Sequence, residues 1–436
     1  MKTFALVNGK VISHNRIYEA CVVVKDGKIE KVIEGKCELD HDMEIIDITG
    51  KYVMPGAIDA HVHFRSPGYE HKEDWETGSK AALAGGVTTV FDMPNVKPPT
   101  VSVDTLDEKR KMVAEKSLVN FGLFLGATPD NLDEAKKAKN IPGVKFYMGT
   151  TTGDMVTDDL NLLEKFLSET DHMITVHAED EACIQTHAKE YEGIEDPSVH
   201  SKIRDPECAN KATHDAIHLA KKCGHRLHIA HMSTEHEMMT VKKFKDVPIT
   251  CEVTPHHLFY NDHDYEGLGT KLRMNPPVRP MTDQVKLWEG IKSGIVDIVA
   301  TDHAPHTEEE KAAPYSKAPS GVPGVQTMLP LLLNEARKGI ISYEKVVELV
   351  SYNPAKIYKV KNKGEITEGF DADLTVLDLS LKAKVERDYL FSKCGWSPWE
   401  GRELTGWPVM TFVGGNLMYE WRDKFGSEKG NEVQFA

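Results

Sequence analysis

The chain has 436 residues, of which 40% are hydrophobic and 28% charged, and its formal net charge is −15. This composition excludes a disordered chain, and the acidic balance argues against nucleic acids and anionic membranes as partners. No apolar run approaches the roughly 18 residues of a membrane helix. The seven cysteines are scattered, odd in number and without a Cys-x-x-Cys pair, so we expect reduced thiols and a cytoplasmic protein.

Both ends of the chain have the pattern of short β-hairpins. The first residues, Met1–Val7, include an apolar run and meet a turn at Asn8-Gly9, which predicts a strand and not a signal peptide. A second turn pair is Asp26-Gly27. Hairpin texture returns after Tyr358, so we predict one small β domain built from residues 1–53 and 359–436. Four tryptophans of the tail are expected to pack it against the rest of the protein: Trp396, Trp399, Trp407 and Trp421.

Residues 54–358 alternate short apolar strands with helical segments, as parallel strands with crossover helices do. The predicted strands are Gly56–Phe64, Thr88–Met93, Val119–Leu125, Val144–Met148, Met173–His177, Arg226–Met232, Ile249–Val253 and Asp297–Thr301. Eight such repeats predict a (β/α)8 TIM barrel of the α/β class. The alternative is an open doubly wound sheet, which has little support because no Gly-x-Gly-x-x-Gly turn follows the first strand.

In such a barrel the active site lies at the C-terminal ends of the strands. His61 and His63 alternate on the first strand, so both point to one side, and Arg65 is expected to continue on that side. Of the two histidines on the sixth strand, His231 is nearer the C-terminal end, and His228 is predicted to be a packed core residue. The further polar residues that end later strands are Asn95, Lys145, His177, Asp302 and His306.

Four histidines and an aspartate at one end of a barrel suit a zinc site with open positions for water and substrate. Lys145 does not fit this set as an ammonium, because a metal ion would repel it. A neutral lysine amine can instead react with carbon dioxide to give an anionic carbamate that bridges two ions. From the residues alone, an ordinary ion pair of Lys145 with Asp302 or Glu179 is an equally good interpretation.

Several motifs resemble those of the dihydroorotase family within the amidohydrolase superfamily, over nearly the whole chain. The two signature segments are Asp59–Gly68 followed by Met93-Pro94-Asn95, and Thr301–His306. Further matching segments are Gly143-Val144-Lys145, His177-Ala178-Glu179, His228–His231, Asn275-Pro276-Pro277, Gly321–Gly324 and Ser397-Pro398-Trp399.

The resemblance implies a (β/α)8 barrel over residues 54–358 and a β-sandwich formed by both termini. It also implies two zinc ions per chain, bridged by a hydroxide and by carboxylated Lys145. Some bacterial members have aspartate at the lysine position, so Lys145 favours the fully binuclear form. The implied ligands are His61, His63 and Asp302 for one ion, and His177 and His231 for the other.

The implied reaction is the reversible cyclisation of N-carbamoyl-L-aspartate to L-dihydroorotate in pyrimidine biosynthesis, with Asp302 transferring the proton. The implied substrate ligands are Arg65, Asn95 and His306 for the carboxylate and Asn275 for the ring. The loop Thr150–Gly153 is predicted to close over the site. The alternatives are another cyclic amidase (allantoinase, or hydantoinase/dihydropyrimidinase) and a non-catalytic scaffold of the same fold. A homodimer and an assembly with other pyrimidine enzymes are both compatible with the sequence.

Overall fold

The computed structural model describes residues 3–35, 37, 43–150, 155–244, 246–422 and 424–436. The predicted closing loop Thr150–Gly153 therefore lies outside the described residues, apart from Thr150. None of the helices in the described part of the chain is long and apolar enough to cross a bilayer.

Strands form where β-branched and aromatic residues cluster between turn residues. In chain order the strands are β1 (Thr3–Val7), β2 (Lys10–Ile12), β3 (Ile17–Lys25), β4 (Lys28–Glu34), β5 (Glu44–Asp47), β6 (Tyr52–Pro55), β7 (Ala57–Val62), β8 (Val87–Asp92), β9 (Asn120–Leu123), β10 (Leu125–Gly126), β11 (Val144–Tyr147), β12 (Ile174–His177), β13 (Leu227–Ile229), β14 (Ile249–Val253), β15 (Ile298–Val299), β16 (Leu374–Lys384), β17 (Glu403–Val413), β18 (Asn416–Glu420) and β19 (Lys424–Phe425).

Most of the longer helices begin after a Ser, Thr, Asp or Asn whose side chain caps the first free backbone N–H groups. The helices are α1 (Trp75–Ala84), α2 (Val103–Lys116), α3 (Leu132–Lys137), α4 (Leu160–Glu169), α5 (Glu181–Ala188), α6 (His200–Ile203), α7 (Pro206–Cys223), α8 (Glu235–Lys243), α9 (Pro255–Phe259), α10 (Tyr265–Leu268), α11 (Met281–Ser293), α12 (Glu308–Lys311), α13 (Met328–Arg337), α14 (Tyr343–Val347) and α15 (Asn353–Ile357).

The strands β7 to β15 form the predicted parallel barrel. They pair in the orders β7-β8-β9 and β10-β11-β12-β13-β14-β15, and β9 and β10 are two parts of one predicted strand. The ring closes where Val62 bridges His303 in parallel and where Thr301 donates its backbone N–H to Asp59 Oδ1 at 3.0 Å. The prediction of a TIM barrel is confirmed, and each of the eight predicted strands overlaps an observed one.

The remaining strands come from both ends of the chain and form one mixed sheet, as predicted. Its order is β19-β18-β17-β16-β6-β2-β3-β1-β5, with β4 paired to β3. The hairpin at Asp26-Gly27 is confirmed, since both residues have positive φ and join β3 to β4. The prediction of a hairpin at Asn8-Gly9 is wrong, because β1 and β2 each pair with the long strand β3 instead of with each other. The domain boundaries 1–53, 54–358 and 359–436 stay a prediction.

The tail packs against the barrel through its aromatic residues. Trp396 and Trp399 are buried, Trp396 Nε1 donates to the carbonyl of His306 at 2.8 Å, and the Trp399 ring stacks on Tyr260. The tail is also held by Glu73, a buried carboxylate that accepts from Ser392 Oγ. The tail residues therefore support the segment that carries His306.

The expectation of reduced thiols is wrong for four cysteines of this structure. Cys21 is joined to Cys37 and Cys183 to Cys208, whereas Cys223, Cys251 and Cys394 are free. No sequence pattern indicates these pairs, because the cysteines are 16 and 25 residues apart and are brought together only by the folded chain.

Candidate active site

The site lies where the barrel strands end, and three of its residues have backbone conformations that strands do not provide. Arg65, His231 and Asp302 have φ of 59°, 36° and 47°, in the left-handed region that non-glycine residues rarely adopt. Such strain is typical of functional sites, where surrounding structure holds a side chain in a required direction. Strand β7 ends at Val62, before Arg65. The alternation of side chains along a strand therefore does not determine the direction of Arg65, and that part of the prediction is wrong.

His61, His63 and Asp302 form the first group of side chains that can hold a metal ion. The Nε2 atoms of His61 and His63 lie 3.5 and 3.0 Å from the same Asp302 oxygen, Oδ1. All three residues are buried. Burial raises the pKa of Asp302, but the adjacent imidazoles outweigh it and hold that pKa far below its usual value. The group therefore contains an ionised carboxylate between two imidazoles.

The other nitrogens of these imidazoles are hydrogen bonded, and this fixes the ring orientations. His61 Nδ1 lies 2.5 Å from Glu252 Oε1, and His63 Nδ1 lies 2.7 Å from Asn95 Oδ1. These two contacts orient the rings so that each Nε2 faces Asp302. Partners of this kind orient histidines that bind metal ions. Asn95, predicted to contact the substrate, thus also has a contact with a histidine of the site.

His177 and His231 form a second group beside the first. His177 Nδ1 lies 3.0 Å from His231 Nε2, and the His61 and His231 ring centroids are 5.3 Å apart. His177 Nε2 donates to Glu179 at 3.0 Å, and Glu179 also accepts from Arg204. Burial lowers the pKa of both histidines, so neutral imidazoles face each other. This pair is short of a third ligand of the His, Cys, Asp or Glu type among the described residues.

Lys145 is the second residue of strand β11 and lies close enough to both groups to interact electrostatically with Asp302, His177 and His231. Its Nζ is fully buried and has no hydrogen-bond partner among the described residues. The alternative ion pairs with Asp302 or Glu179 are not formed, because those carboxylates contact histidines and Arg204. Burial lowers the pKa of Lys145 to about 8. Burying an ammonium group without a partner costs a large amount of free energy. The environment of Lys145 therefore favours a neutral amine or a modified side chain.

Arg65 and His306 lie together, and a half-buried lysine joins them. Arg65 is buried, its Nε donates to the carbonyl of Pro305 at 3.1 Å, and its Nη2 is 3.1 Å from His306 Nε2. Lys72 Nζ is 3.0 Å from His306 Nδ1. Burial, followed by the charge of Arg65, holds the pKa of His306 well below its ordinary value. No carboxylate in the described part of the chain forms an ion pair with Arg65. Two acids that follow it in sequence, Glu70 and Glu73, accept instead from the backbone N–H groups of Gly68 and Lys393.

Asn275 is held by a hydrogen bond to another buried histidine, His200. Its Oδ1 lies 2.8 Å from Nε2 of His200, and His200 Nδ1 lies 3.0 Å from the Tyr315 hydroxyl. Burial lowers the pKa of His200 to about 3, so this imidazole is neutral. The predicted contact of Asn275 with a substrate ring stays a prediction.

Three further residues of the site were missed from the sequence: Glu252, Arg204 and Lys72. Glu252 contacts His61, His228 and the backbone N–H of His231, and thereby joins both histidine groups. His228 is a packed core histidine, as predicted. Glu252 was recognisable in principle, because it is an acidic residue inside the predicted strand Ile249–Val253. Arg204 and Lys72 lie on loops and helix ends that carry no periodic signal.

The side chains of the site suit a borderline-soft metal ion such as zinc. Imidazole and carboxylate groups are ligands that zinc prefers, and the buried Lys145 Nζ and His231 Nδ1 have no hydrogen-bond partner among the described residues. Among these side chains, His61, His63 and Asp302 form the group that can hold a metal ion, and Lys145, His177 and His231 lie beside it.

The barrel, the composite sheet and this histidine-rich end define a class of metal-dependent hydrolases. The sequence profile of the amidohydrolase family matches residues 52–418, and the chain belongs to this family.

The chain is also similar to individual proteins over most of its length. It is 40% identical to a dihydroorotase of Halobacterium salinarum over 91% of this chain and 95% of the relative. It is 37% identical to a dihydroorotase of Methanothermobacter thermautotrophicus, over 91% of this chain and 90% of that one. Among solved structures, L-hydantoinase (dihydropyrimidinase) from Arthrobacter aurescens has a TM-score of 0.95 and 31% identity, covering all of both chains.

Replacing the buried Glu252 tests how the histidines are oriented. We expect Glu252→Gln to lower metal affinity about 10- to 100-fold, because His61 loses its ionised acceptor. Metal content after dialysis against graded chelator measures the change. Glu237→Gln is the matched control, since Glu237 is equally buried but caps helix α8. An equal loss in both variants would assign Glu252 to general stability.

Proposed function

We propose that this enzyme is a dihydroorotase, which interconverts N-carbamoyl-L-aspartate and L-dihydroorotate. The observation that carries the proposal is Arg65, a buried guanidinium beside the histidine groups that has no carboxylate partner among the described residues. A substrate with a carboxylate supplies the missing charge, and dihydroorotate has one. The many dihydroorotases at 33–40% identity across nearly the full chain support this assignment.

The proposed cofactor is a pair of zinc ions. His61, His63 and Asp302 would hold one ion, His177 and His231 the other, and Lys145 would join them as a carbamate. The lowered pKa of Lys145, about 8, supports this, because roughly a tenth of the amine is neutral and reactive toward carbon dioxide at pH 7. When bound, such ions activate water and polarise a carbonyl oxygen.

Asp302 is the proposed proton carrier of the ring-opening reaction. Its ionised carboxylate accepts the proton of the attacking water and delivers it to the ring nitrogen as the C–N amide bond breaks. In the closing direction the same carboxylate accepts the proton of the carbamoyl nitrogen as it attacks, and water leaves. Its left-handed backbone conformation directs the side chain to both histidines of its group.

The proposed substrate-binding residues are Arg65 and the polar side chains near it. Arg65 would bind the carboxylate through its guanidinium, with donors from Asn95 and His306 nearby. His306 has few hydrogen bonds left to offer a substrate, because its Nε2 lies 3.0 Å from the Ser320 carbonyl and its Nδ1 faces Lys72. Asn275 would contact the ring. We also propose that the enzyme is cytoplasmic, with one domain of residues 1–53 and 359–436 and a barrel of residues 54–358. It would act as a homodimer or together with other pyrimidine enzymes.

Removing the guanidinium tests the proposed substrate. We expect Arg65→Ala to lower kcat/KM for dihydroorotate about 30- to several-thousand-fold, because an unpaired buried carboxylate costs roughly 2–5 kcal/mol. Activity on dihydrouracil, which has no carboxylate, should change little, and both metal ions should stay bound. Arg226→Ala is the control, because Arg226 is a half-buried barrel arginine that contacts the Ile357 carbonyl. Equal losses on both substrates would assign Arg65 to structure.

A hydantoinase is the second candidate, and one observation favours it. The solved structures most similar in shape include a dihydropyrimidinase from Brevibacillus agri, with a TM-score of 0.92 and 26% identity over nearly both chains. The metal-binding residues do not distinguish the two reactions. The assay with and without a substrate carboxylate does.

A further inference from the structure

A second cluster of metal-binding side chains lies outside the candidate active site. Cys183, His187, Asp205 and Cys208 each offer one ligand atom, and these atoms lie within 4.8 Å of one another. Cys183 and His187 are four residues apart on helix α5, so they share a face of that helix. Asp205 caps helix α7 and Cys208 stands in its first turn. Two helices thus bring two cysteine sulfurs, an imidazole and a carboxylate to one point.

The imidazole, the carboxylate and a cysteine sulfur of the cluster face one another. Asp205 Oδ1 accepts from the backbone N–H of Glu207 and Cys208, and its other oxygen, Oδ2, faces His187 Nδ1 at 3.7 Å. His187 Nδ1 is also 3.7 Å from Cys208 Sγ. A nitrogen–oxygen distance of 3.7 Å is too long for a hydrogen bond. It is close to the separation of about 3.3–3.8 Å between neighbouring ligands of a tetrahedral zinc ion.

We propose that the reduced protein binds one thiophilic divalent cation, of the Zn²⁺ type, through Cys183, His187, Asp205 and Cys208. The two sulfurs are joined in this structure. A dithiol reductant supplies the two electrons and two protons that separate them and is itself oxidised to a disulfide. The two thiols then release their protons to solvent as the thiolates bind the cation.

The composition of the cluster favours a cation over a disulfide alone. A disulfide requires only the two cysteines and does not account for the convergence of His187 and Asp205 on the same point. Sulfur and imidazole donors select zinc-like ions over magnesium or calcium, which take oxygen ligands. Reducing compartments also keep such thiols free for metal.

The position of the cluster gives the cation a structural consequence. Asp205 directly follows Arg204, whose guanidinium donates to Glu179 and to the carbonyl of Thr150. Glu179 in turn accepts from His177 at 3.0 Å. A cation that joins the first turn of α7 to α5 therefore holds Arg204 in place against the partner of a candidate active-site histidine. This proposal does not depend on which cyclic amide the enzyme hydrolyses.

Cobalt titration of the reduced, chelator-treated protein tests the site, because Co²⁺ bound by thiolate has a near-ultraviolet charge-transfer band. The candidate active site has only nitrogen and oxygen donors and gives no such band. We expect the amplitude of the band at saturating cobalt to correspond to one thiolate-bound ion per chain, and the melting temperature of the reduced protein to rise with it. Absence of the band in reduced wild-type protein at saturating cobalt would overturn the proposal.

Variants identify the ligands. Cys183→Ser should weaken the band, because Cys208 is then the one thiolate of the cluster, and His187→Ala should weaken cobalt binding at this site by at least about tenfold. Both positions are partly exposed, so the variants are expected to fold, which circular dichroism checks. Cys223→Ser is the matched control, a free and partly exposed cysteine elsewhere, and should keep the band. An unchanged band in Cys183→Ser, or its loss in Cys223→Ser, would contradict the assignment.

Discussion

Asp302→Asn is expected to lower kcat for dihydroorotate by at least about 10²–10⁴-fold, the usual contribution of a positioned acid–base group. The amide keeps the shape of the side chain but does not accept the proton of water or return it to nitrogen. The loss should appear in both directions, because the same carboxylate serves ring opening and ring closure. Steady-state rates with dihydroorotate and with N-carbamoyl-L-aspartate measure it.

Metal content separates the two possible causes of that loss. Asp302 lies 3.0 Å from His63 Nε2 and is also a proposed ligand, so weaker metal binding would by itself reduce the rate. Assays at saturating zinc, with the bound metal counted, remove this contribution. A fully metal-loaded Asp302→Asn enzyme with near-normal turnover would contradict the role of Asp302.

Lys145→Ala is expected to be nearly inactive and to hold less metal. Lys145 is a fully buried cation that has no hydrogen-bond partner among the described residues, beside a histidine pair that is short of a third ligand there. The truncation removes the proposed bridging carbamate and leaves a cavity. Short carboxylic acids added with zinc should fill that cavity and restore part of the activity, since a carboxylate replaces the carbamate. Activity and bound zinc are measured across a series of acetate and propionate concentrations.

The matched control for that rescue is Lys109→Ala. Lys109 is also a buried lysine, but it is paired with Asp92 at 2.5 Å and contacts the carbonyl of Met93. Carboxylic acids should not restore its function, because no carbamate is proposed there. A plain ammonium on Lys145 in a high-resolution structure of the active, metal-loaded enzyme would contradict the carbamate.

The barrel and the positions of its histidines were predictable from the sequence because both follow from local periodicity. Alternation fixes which residues of a strand share a face, and the strand ends of a barrel meet at one edge. The amino-acid sequence alone therefore places His61 and His63 near Asp302, as the folded chain does. Lys145 was also identified, although it is the second residue of β11 and not its last.

What the sequence did not predict depends on non-local contacts. Arg65 reaches the site through a positive φ after β7 has ended, which strand alternation does not describe. Glu179 is fixed by Arg204, a residue 25 positions later on an irregular segment. The turn at Asn8-Gly9 has a hairpin sequence, yet tertiary pairing with β3 determines where β1 and β2 lie. Such contacts are specified by the whole fold and leave no pattern in a short window.

The central claim, that this enzyme acts on the dihydroorotate ring, is tested most directly by one parallel assay. Zinc-loaded protein of known metal content is assayed for kcat/KM with dihydroorotate, dihydrouracil and allantoin. The site around Arg65 predicts that dihydroorotate exceeds both others by at least about a hundredfold, because a site built for a polar group rejects analogues that lack it. Equal or faster hydrolysis of dihydrouracil or allantoin would contradict the claim.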